Sequence, residues 1–291
     1  MKSNIIISTA LQSHIRVYLA DTTEMVEQAR LTHDLWPSSC TALGRSLSIT
    51  SVMASMLKDD NEAITTIING NGPIGTIMCV ATGNGKIKGF CGNNAIYLKR
   101  NSDNKLIVGD IVGKDGYLKV IKDLKMKSNY TSQIKLVSGE ISEDFAYYYR
   151  SSEQTPCVIS SGVITGDNYK VESAGCLFIE LMPGYTEKDI QFVQSTVNKI
   201  NSHPVTSVIK NNENLDDYLK ELFDDLIFLD KKYVEYECNC SKEKFLNNLR
   251  TLPKKDILDL MKDESIETKC EFCNKKYVFS QKDLEELIKW K

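Results

Sequence analysis

Short apolar runs separated by turn-forming residues dominate the first part of the chain. Ile15, Val17 and Leu19 recur at every second position, which is the pattern of a strand. Further apolar runs follow, and Gly, Asn and Pro residues separate many of them. The predicted strands are Ala63–Ile68, Ile74–Val80, Lys86–Cys91, Leu106–Val112, Leu118–Ile121, Val158–Ile164 and Leu177–Leu181. This region is therefore predicted to be rich in β-structure.

Helical patterns lie among these predicted strands. Asp21, followed three residues later by Glu24, is typical of a helix N-terminus. Pro37 is expected to open a second helix, and residues 139–152 are expected to form a third. We therefore predict an α+β fold in which residues 1–184 form a β-rich core domain with packed helices.

Pro183-Gly184 is expected to end this core domain. Beyond it, apolar residues recur at helical spacing in residues 186–200 and again in 213–229, with charged residues on the opposite face. Residues 185–229 are therefore predicted to form an amphipathic helical linker. Its apolar faces either dock permanently on the core domain or dock only under some conditions.

Four cysteines stand in two close pairs near the C-terminus. The pairs are Cys238-Asn-Cys240 and Cys270-Glu-Phe-Cys273, with 29 residues between them and no histidine in the stretch. Four thiolates suit tetrahedral Zn²⁺, with Zn–S bonds of about 2.3 Å. We predict that residues 230–291 form a small zinc-binding module. Its expected elements are a helix after Cys240, another after Pro253, a hairpin around Cys270 and Cys273 with Tyr277 in the return strand, and a closing helix from Ser280. The metal would supply much of the module's folding free energy, because so short a segment has a small core.

The spacing of the cysteines also permits redox chemistry. A thiolate is the oxidisable form of cysteine, so a partly exposed zinc–thiolate site can react with peroxide or hypochlorous acid. The members of each pair are close in sequence, so two local disulfides could form without long chain movement. Their formation would consume the ligands, release the metal and unfold the module. The residues alone are consistent with such a thiol switch and with a purely structural zinc ribbon.

Composition limits the functional classes. The chain has 291 residues, of which 42% are apolar and 26% charged, as in a globular protein in solution. No apolar run is long enough for a signal peptide or a membrane span. Nine cysteines, an odd number, argue against a secreted disulfide framework. We therefore expect a cytoplasmic protein without a membrane partner.

Two other functions deserve comparison with the thiol switch. A nucleic-acid-binding zinc ribbon normally carries a basic stripe, but residues 230–291 hold 14 Lys and Arg against 13 Asp and Glu. A thiol–disulfide oxidoreductase could use Cys270 and Cys273, but the strand-then-helix context of thioredoxin-like pairs is missing. We therefore expect no nucleic-acid partner and no enzymatic activity.

Other chemistry-bearing residues have simpler interpretations. A catalytic cluster is conceivable for Arg45, Glu140, Glu153 and Gln154, but buried ion pairs or helix caps are the expected roles. Five further cysteines occupy apolar or small-residue contexts and are predicted to be core thiols. They are Cys40, Cys79, Cys91, Cys157 and Cys176.

Several longer motifs occur in a fixed order along the chain. They are Thr41-Ala-Leu-Gly-Arg45, Gly72-Pro-Ile-Gly75, Val137-Ser-Gly-Glu140, Tyr148-Tyr-Arg-Ser-Ser-Glu-Gln-Thr-Pro156, Cys238-Asn-Cys-Ser-Lys-Glu-Lys244, and Cys270-Glu-Phe-Cys273 followed by Tyr277-Val-Phe279. With these motifs the chain resembles the heat-shock protein 33 family, the redox-regulated holdase chaperones of the bacterial cytosol. The resemblance covers essentially the whole length.

The resemblance implies a specific mechanism. Cys238, Cys240, Cys270 and Cys273 would bind one Zn²⁺ per chain in the reduced, inactive state. Oxidation would join Cys238 to Cys240 and Cys270 to Cys273, release zinc, and unfold the module and the linker. The active form, typically a homodimer, would bind unfolding client proteins without ATP and pass them to ATP-dependent foldases after reduction.

Two positions depart from the family pattern. The family usually has Asp between the first two cysteines, where this chain has Asn239, so a negative charge beside the thiolates is missing. Where the family commonly has Ala-Gly-Gly, this chain has Ala174-Gly175-Cys176, which adds a cysteine expected to be buried. Neither departure changes the number of candidate ligands.

Overall fold

The computed structural model describes residues 2–98, 107–263 and 265–289. It divides into two compact units, Met1–Tyr236 and Glu237–Lys291. The first unit contains both the predicted core domain and residues 185–229. The boundary between core and linker at residue 184 stays a prediction.

Strands and helices follow one another in small groups along the described part of the first unit. The strands are β1 (Asn4–Ala10), β2 (Ile15–Asp21), β3 (Ala63–Asn69), β4 (Ile77–Thr82), β5 (Lys86–Cys91), β6 (Tyr117–Asp123), β7 (Tyr130–Lys135), β8 (Cys157–Thr165), β9 (Val171–Leu181), β10 (Ile227–Tyr233) and β11 (Glu235–Tyr236). The helices are α1 (Thr23–His33), α2 (Pro37–Ser55), α3 (Gly109–Val112), α4 (Ser142–Tyr148), α5 (Glu187–Ser202), α6 (Val205–Lys210) and α7 (Leu215–Leu222). One π-helical turn, Tyr149–Glu153, continues α4. The predicted α+β fold is confirmed.

Five antiparallel strands form the first sheet, in the order β10-β1-β2-β9-β8. Both faces of its central strands are buried. In β2, Val17 and Leu19 point to one hydrophobic core, whereas Tyr18 and Ala20 point to the other. The alternation seen in the sequence therefore separates two cores rather than a core from solvent.

The second sheet has six strands, in the order β11-β5-β4-β3-β6-β7. Helix α2 contacts strands of both sheets and is buried along nearly its whole length. Its small residues permit this close packing. A Cβ atom on Gly44 would lie 2.7 Å from a methyl group of Val163 and 2.8 Å from one of Val26.

Helices α5, α6 and α7 supply the second core, on the other face of the first sheet. Val193, Ile200, Leu219 and Phe223 are buried there. They pack in one cluster with apolar residues of β1, β2 and β9. The apolar faces of residues 185–229 are therefore docked on the first sheet in this structure.

One predicted element is wrong, and another extends too far. The run Leu106–Val112 was expected to be a strand, but Gly109–Val112 is the short helix α3, and Leu106 lies outside the described residues. A short apolar run has the same pattern in a buried helix and a buried strand, so periodicity does not separate the two. The helix expected over 213–229 ends at Leu222, and the strand β10 begins at Ile227.

The second unit is a small module whose elements match the sequence prediction. They are α8 (Lys242–Leu249), α9 (Lys254–Leu260), β12 (Ser265–Lys269), β13 (Lys276–Ser280) and α10 (Gln281–Lys289). Strands β12 and β13 form an antiparallel hairpin. A compact core holds Ile257, Phe279, Leu284 and Leu287, each almost fully buried.

Within the described ranges of both units, no helix combines the length and the apolar character needed to cross a membrane.

Candidate metal centre

The second unit brings four cysteine sulfurs together. The Sγ atoms of Cys238, Cys240, Cys270 and Cys273 all lie within 4.8 Å of one another. Cys238 Sγ is 3.8 Å from Cys270 Sγ, and Cys240 Sγ is 3.3 Å from Cys273 Sγ. A zinc site with Zn–S bonds of about 2.3 Å has S–S distances of about 3.8 Å in a regular tetrahedron. The four thiols therefore fit a tetrahedral, all-sulfur metal site.

Local turns place the two cysteine pairs. Ser241, directly after Cys240, caps α8 by accepting a hydrogen bond from the backbone N–H of Lys244 at 3.2 Å. At the other pair, the Cys270 carbonyl accepts a hydrogen bond of 2.8 Å from the backbone N–H of Asn274, which has a φ of +60°. This tight turn brings the Cys273 thiol back beside that of Cys270.

Burial differs among the four thiols. Cys270 is 4% exposed, whereas the other three are partly exposed. The site packs against the core of the module, including Phe245 and Phe272. A small oxidant can therefore reach part of the cluster from solvent, while the apolar side holds the geometry.

Cys240 has the lowest thiol pKa of those resolved in the cluster. Burial raises its pKa, but hydrogen bonds from the Tyr277 hydroxyl and from the neighbouring thiols outweigh this and lower it to about 7. Burial instead raises the pKa of Cys238 to about 12. The cluster therefore holds a thiol that ionises readily, Cys240, beside one that does not, Cys238. A bound cation would favour ionisation of all four.

Sequence reasoning missed the position of Tyr277. Its Oη atom is 3.1 Å from Cys240 Sγ. The sequence assigned Tyr277 only to the return strand of the hairpin. The alternation of buried Tyr277 and Phe279 around exposed Val278 shows that the ring points inward, but it does not show which sulfur the hydroxyl meets.

The remaining cysteines lie outside this cluster, in the first unit. Cys40, Cys79 and Cys176 are buried, and Cys91 and Cys157 are partly buried against the same core. Burial raises the pKa values of Cys40, Cys91 and Cys157 to about 12. These thiols are protonated at neutral pH, as expected of core residues.

Charged residues of the motifs in the first unit form ion pairs. Arg45 Nη1 is 2.9 Å from a carboxylate oxygen of Glu140, whose other oxygen accepts a hydrogen bond from the backbone N–H of Gly109. Glu153 pairs with Lys122 Nζ at 2.7 Å and also accepts a hydrogen bond from the Tyr148 hydroxyl. These contacts agree with the structural roles expected for the motifs.

Comparison with protein families gives a match over nearly the whole chain. The sequence model of the family described as "Hsp33 protein" matches residues 3–280. The matched range covers nearly all of the first unit, most of the second, and all four clustered cysteines.

Individual relatives agree with the family match. The 33 kDa chaperonin of Acetivibrio thermocellus is 39% identical over 292 residues, covering 99% of this chain and 98% of that protein. The 33 kDa chaperonin of Clostridioides difficile is 38% identical over 292 residues and covers 99% of each chain. Among solved structures, the 33 kDa chaperonin (heat shock protein 33 homolog) of Thermotoga maritima is similar, with a TM-score of 0.89 and 31% identity. That match covers 100% of this chain and 99% of the other.

Proposed function

The chain belongs to the Hsp33 family, and from this premise we propose that it is a redox-regulated, ATP-independent holdase chaperone of the cytoplasm. The observation that carries the proposal is the convergence of four cysteine sulfurs within 4.8 Å. In the reduced, inactive state Cys238, Cys240, Cys270 and Cys273 are the ligands of one Zn²⁺ per chain.

A bound Zn²⁺ keeps four thiols deprotonated and cross-links two segments that lie far apart in the sequence. The protein contributes the positions of these thiolates. Cys238 and Cys240 lie just before α8, and Cys270 and Cys273 lie in the turn of the β12–β13 hairpin. Because the core of the module is small, these cross-links contribute much of the free energy that keeps it folded.

Oxidation removes these cross-links. A thiolate attacks one oxygen of hydrogen peroxide, the O–O bond breaks, and hydroxide leaves as a sulfenic acid forms. A second thiolate then attacks that sulfur and displaces hydroxide, so each disulfide formed consumes one peroxide. We propose the pairs Cys238–Cys240 and Cys270–Cys273, following the family resemblance. The observed close contacts, Cys238 with Cys270 and Cys240 with Cys273, make peptide mapping of the oxidised chain a necessary check.

Unfolding of the module is proposed to release residues 185–229. The chain passes from β11 (Glu235–Tyr236) to Cys238 with a single residue between them. Helices α5 and α7 bury apolar side chains such as Val193, Leu219 and Leu222 on the first sheet. Each such side chain contributes about 1.5–3 kcal/mol when buried. Their exposure would create the apolar surface that binds unfolding clients.

The proposed partners follow from this cycle. The oxidised protein forms a homodimer, binds unfolded or aggregation-prone clients, and hands them to ATP-dependent foldases once its disulfides are reduced. No nucleic acid and no membrane takes part.

Aggregation of a thermally unfolded client enzyme tests the proposal. Light scattering is recorded with the reduced, zinc-loaded protein and with the peroxide-oxidised protein, both without ATP. The oxidised form is expected to suppress scattering, and the reduced form is not. Equal scattering with both forms would overturn the redox regulation.

A further inference from the structure

Tyr277 lies directly against the cysteine cluster, on the inner face of β13. Its side chain is only 7% exposed, whereas that of its neighbour Val278 is 53% exposed. The hydroxyl oxygen of Tyr277 is 3.1 Å from Cys240 Sγ, within hydrogen-bond distance of a sulfur acceptor. The phenol is therefore built into the site rather than resting on its surface.

Two neighbours hold the ring in place. The ring of Phe245, on α8, has its centroid 5.0 Å from that of Tyr277, at an interplanar angle of 36°. Lys275 Nζ lies 5.5 Å from the centroid of the Tyr277 ring. Because Phe245 belongs to the helix that follows Cys240, the ring and the sulfur are positioned by the same local structure.

The direction of the hydrogen bond follows from the state of the sulfur. A thiolate has no proton to give, so the Tyr277 O–H must donate to Cys240 whenever Cys240 is a metal ligand. Hydrogen bonds to first ligands orient them and adjust their electron density. Donation to the sulfur withdraws electron density from the atom that an oxidant attacks, and it makes that thiolate a weaker nucleophile.

We infer that Tyr277 is a positioning residue that slows oxidation of Cys240 and so sets how much oxidant the cluster tolerates. The inference rests on the proposed function, because it concerns the same thiolates. The four cysteines alone do not explain the oxidant threshold of the switch, and the Tyr277 hydroxyl contributes to it.

The test compares Tyr277→Phe with the wild-type chain. This variant keeps the ring and its packing and removes only the hydroxyl. Tyr233→Phe is the matched control, because it makes the same chemical change at a ring that is 62% exposed and outside the cysteine module. Both variants are compared as full-length, metal-loaded proteins.

Cobalt replacement gives a readout that does not depend on chaperone activity. Loss of a hydrogen bond raises the energy of the sulfur electrons, so the thiolate-to-Co²⁺ charge-transfer band of Tyr277→Phe is expected to move to lower energy. The rate of zinc release by excess hydrogen peroxide is expected to rise about tenfold. This factor is the low end of the change in metal affinity or activity that loss of a hydrogen-bond partner of a metal ligand causes. Tyr233→Phe should match the wild type in both measurements.

An unchanged band and an unchanged release rate in Tyr277→Phe would overturn the inference and leave Tyr277 as a packing residue. If the variant fails to hold metal, the wild-type chain loaded with cadmium-113 provides the decision. A slowly exchanging Tyr277 hydroxyl proton correlated with cadmium supports the hydrogen bond, and a rapidly exchanging, uncorrelated proton contradicts it. Failure of peroxide to release zinc from any of the proteins would instead contradict the proposed function, and the band position would still decide the role of Tyr277.

Discussion

A carboxylate oxygen of Asp225 accepts a hydrogen bond from the backbone N–H of Leu11, with an N–O distance of 2.9 Å. Its other oxygen accepts from the N–H of Gln12 at the same distance. Leu11, Gln12 and Ser13 all have positive φ angles, of 51°, 57° and 71°. Consecutive N–H groups in such a turn form a concavity that attracts an anion. Asp225 thus joins the segment 185–229 to the β1–β2 turn.

Replacement of Asp225 should loosen this segment. We expect Asp225→Ala to cost about 1 kcal/mol, because two hydrogen bonds to a solvent-accessible carboxylate are lost. Hydrogen exchange in residues 185–229 should accelerate while the zinc content stays unchanged. Asp224→Ala is the control, since this exposed neighbour makes the same charge change. Equal exchange in the two variants would contradict the anchoring role.

Asp189 provides a second anchor of the same kind. It accepts hydrogen bonds from the backbone N–H and hydroxyl of Thr186 and lies 2.9 Å from His14 Nδ1. The Thr186 hydrogen bonds are the main reason that the pKa of Asp189 is lowered, and the N–H groups of Gln12 and Leu11 lower that of Asp225. Both carboxylates are therefore easier to ionise in the folded protein than in the unfolded chain.

The lowered pKa values predict acid sensitivity. Each group stabilises the fold fully above its ordinary pKa of 3.8, and that contribution disappears as the pH falls through the lower folded-state value. The midpoint of thermal unfolding of the first unit, followed by circular dichroism, should therefore fall more steeply below about pH 4 in the wild type than in an Asp189→Asn, Asp225→Asn double variant. Parallel curves would show that these carboxylates do not govern the acid response.

The buried face of α7 offers a direct test of conditional docking. Leu219 is fully buried, so Leu219→Ala should cost about 2–5 kcal/mol. We expect this variant to suppress client aggregation partly even when reduced and zinc-loaded, because the predicted linker, residues 185–229, undocks more often. Leu229→Ala changes a side chain that is 49% exposed and should behave as the wild type. An undocked linker without any gain in suppression would contradict the proposed client surface.

The ligand assignment predicts the zinc content of cysteine variants. Cys238→Ser and Cys270→Ser each remove one of the four thiolates, so both should retain far less zinc than the wild type after dialysis against a weak chelator. Cys91→Ser changes a partly buried thiol of the first unit and should leave the zinc content intact. Elemental analysis provides the measurement, and unchanged zinc in both ligand variants would exclude the assignment.

The sequence predicts the cysteine module well because its signals are local. Ser280 and Asp283 are three residues apart, and in the structure the Asp283 carboxylate accepts a hydrogen bond from the Ser280 N–H at 2.8 Å at the start of α10. The two cysteine pairs likewise carry their own turns, and the helix and hairpin patterns lie between and around them. Folding of the single compact core of the module then brings the two pairs together.

Long-range contacts are less visible in the sequence. Strand β10 pairs with β1, more than 200 residues earlier in the chain. Ile227 and Phe228 are exposed at the sheet edge. In the sequence these two apolar residues continue the apolar pattern of α7, so the pattern does not show where the helix ends. The hydroxyl of Tyr277 presents the same difficulty, because periodicity gives its face but not its partner.

Simultaneous measurement of zinc release and client aggregation during stepwise addition of hydrogen peroxide tests the central claim most directly. A colorimetric chelator follows the metal, and light scattering follows the client in the same samples. If the cysteine cluster is the switch, about one zinc ion per chain should leave over the same peroxide range in which scattering falls. Zinc that stays bound, or suppression that is complete before zinc leaves, would contradict the account.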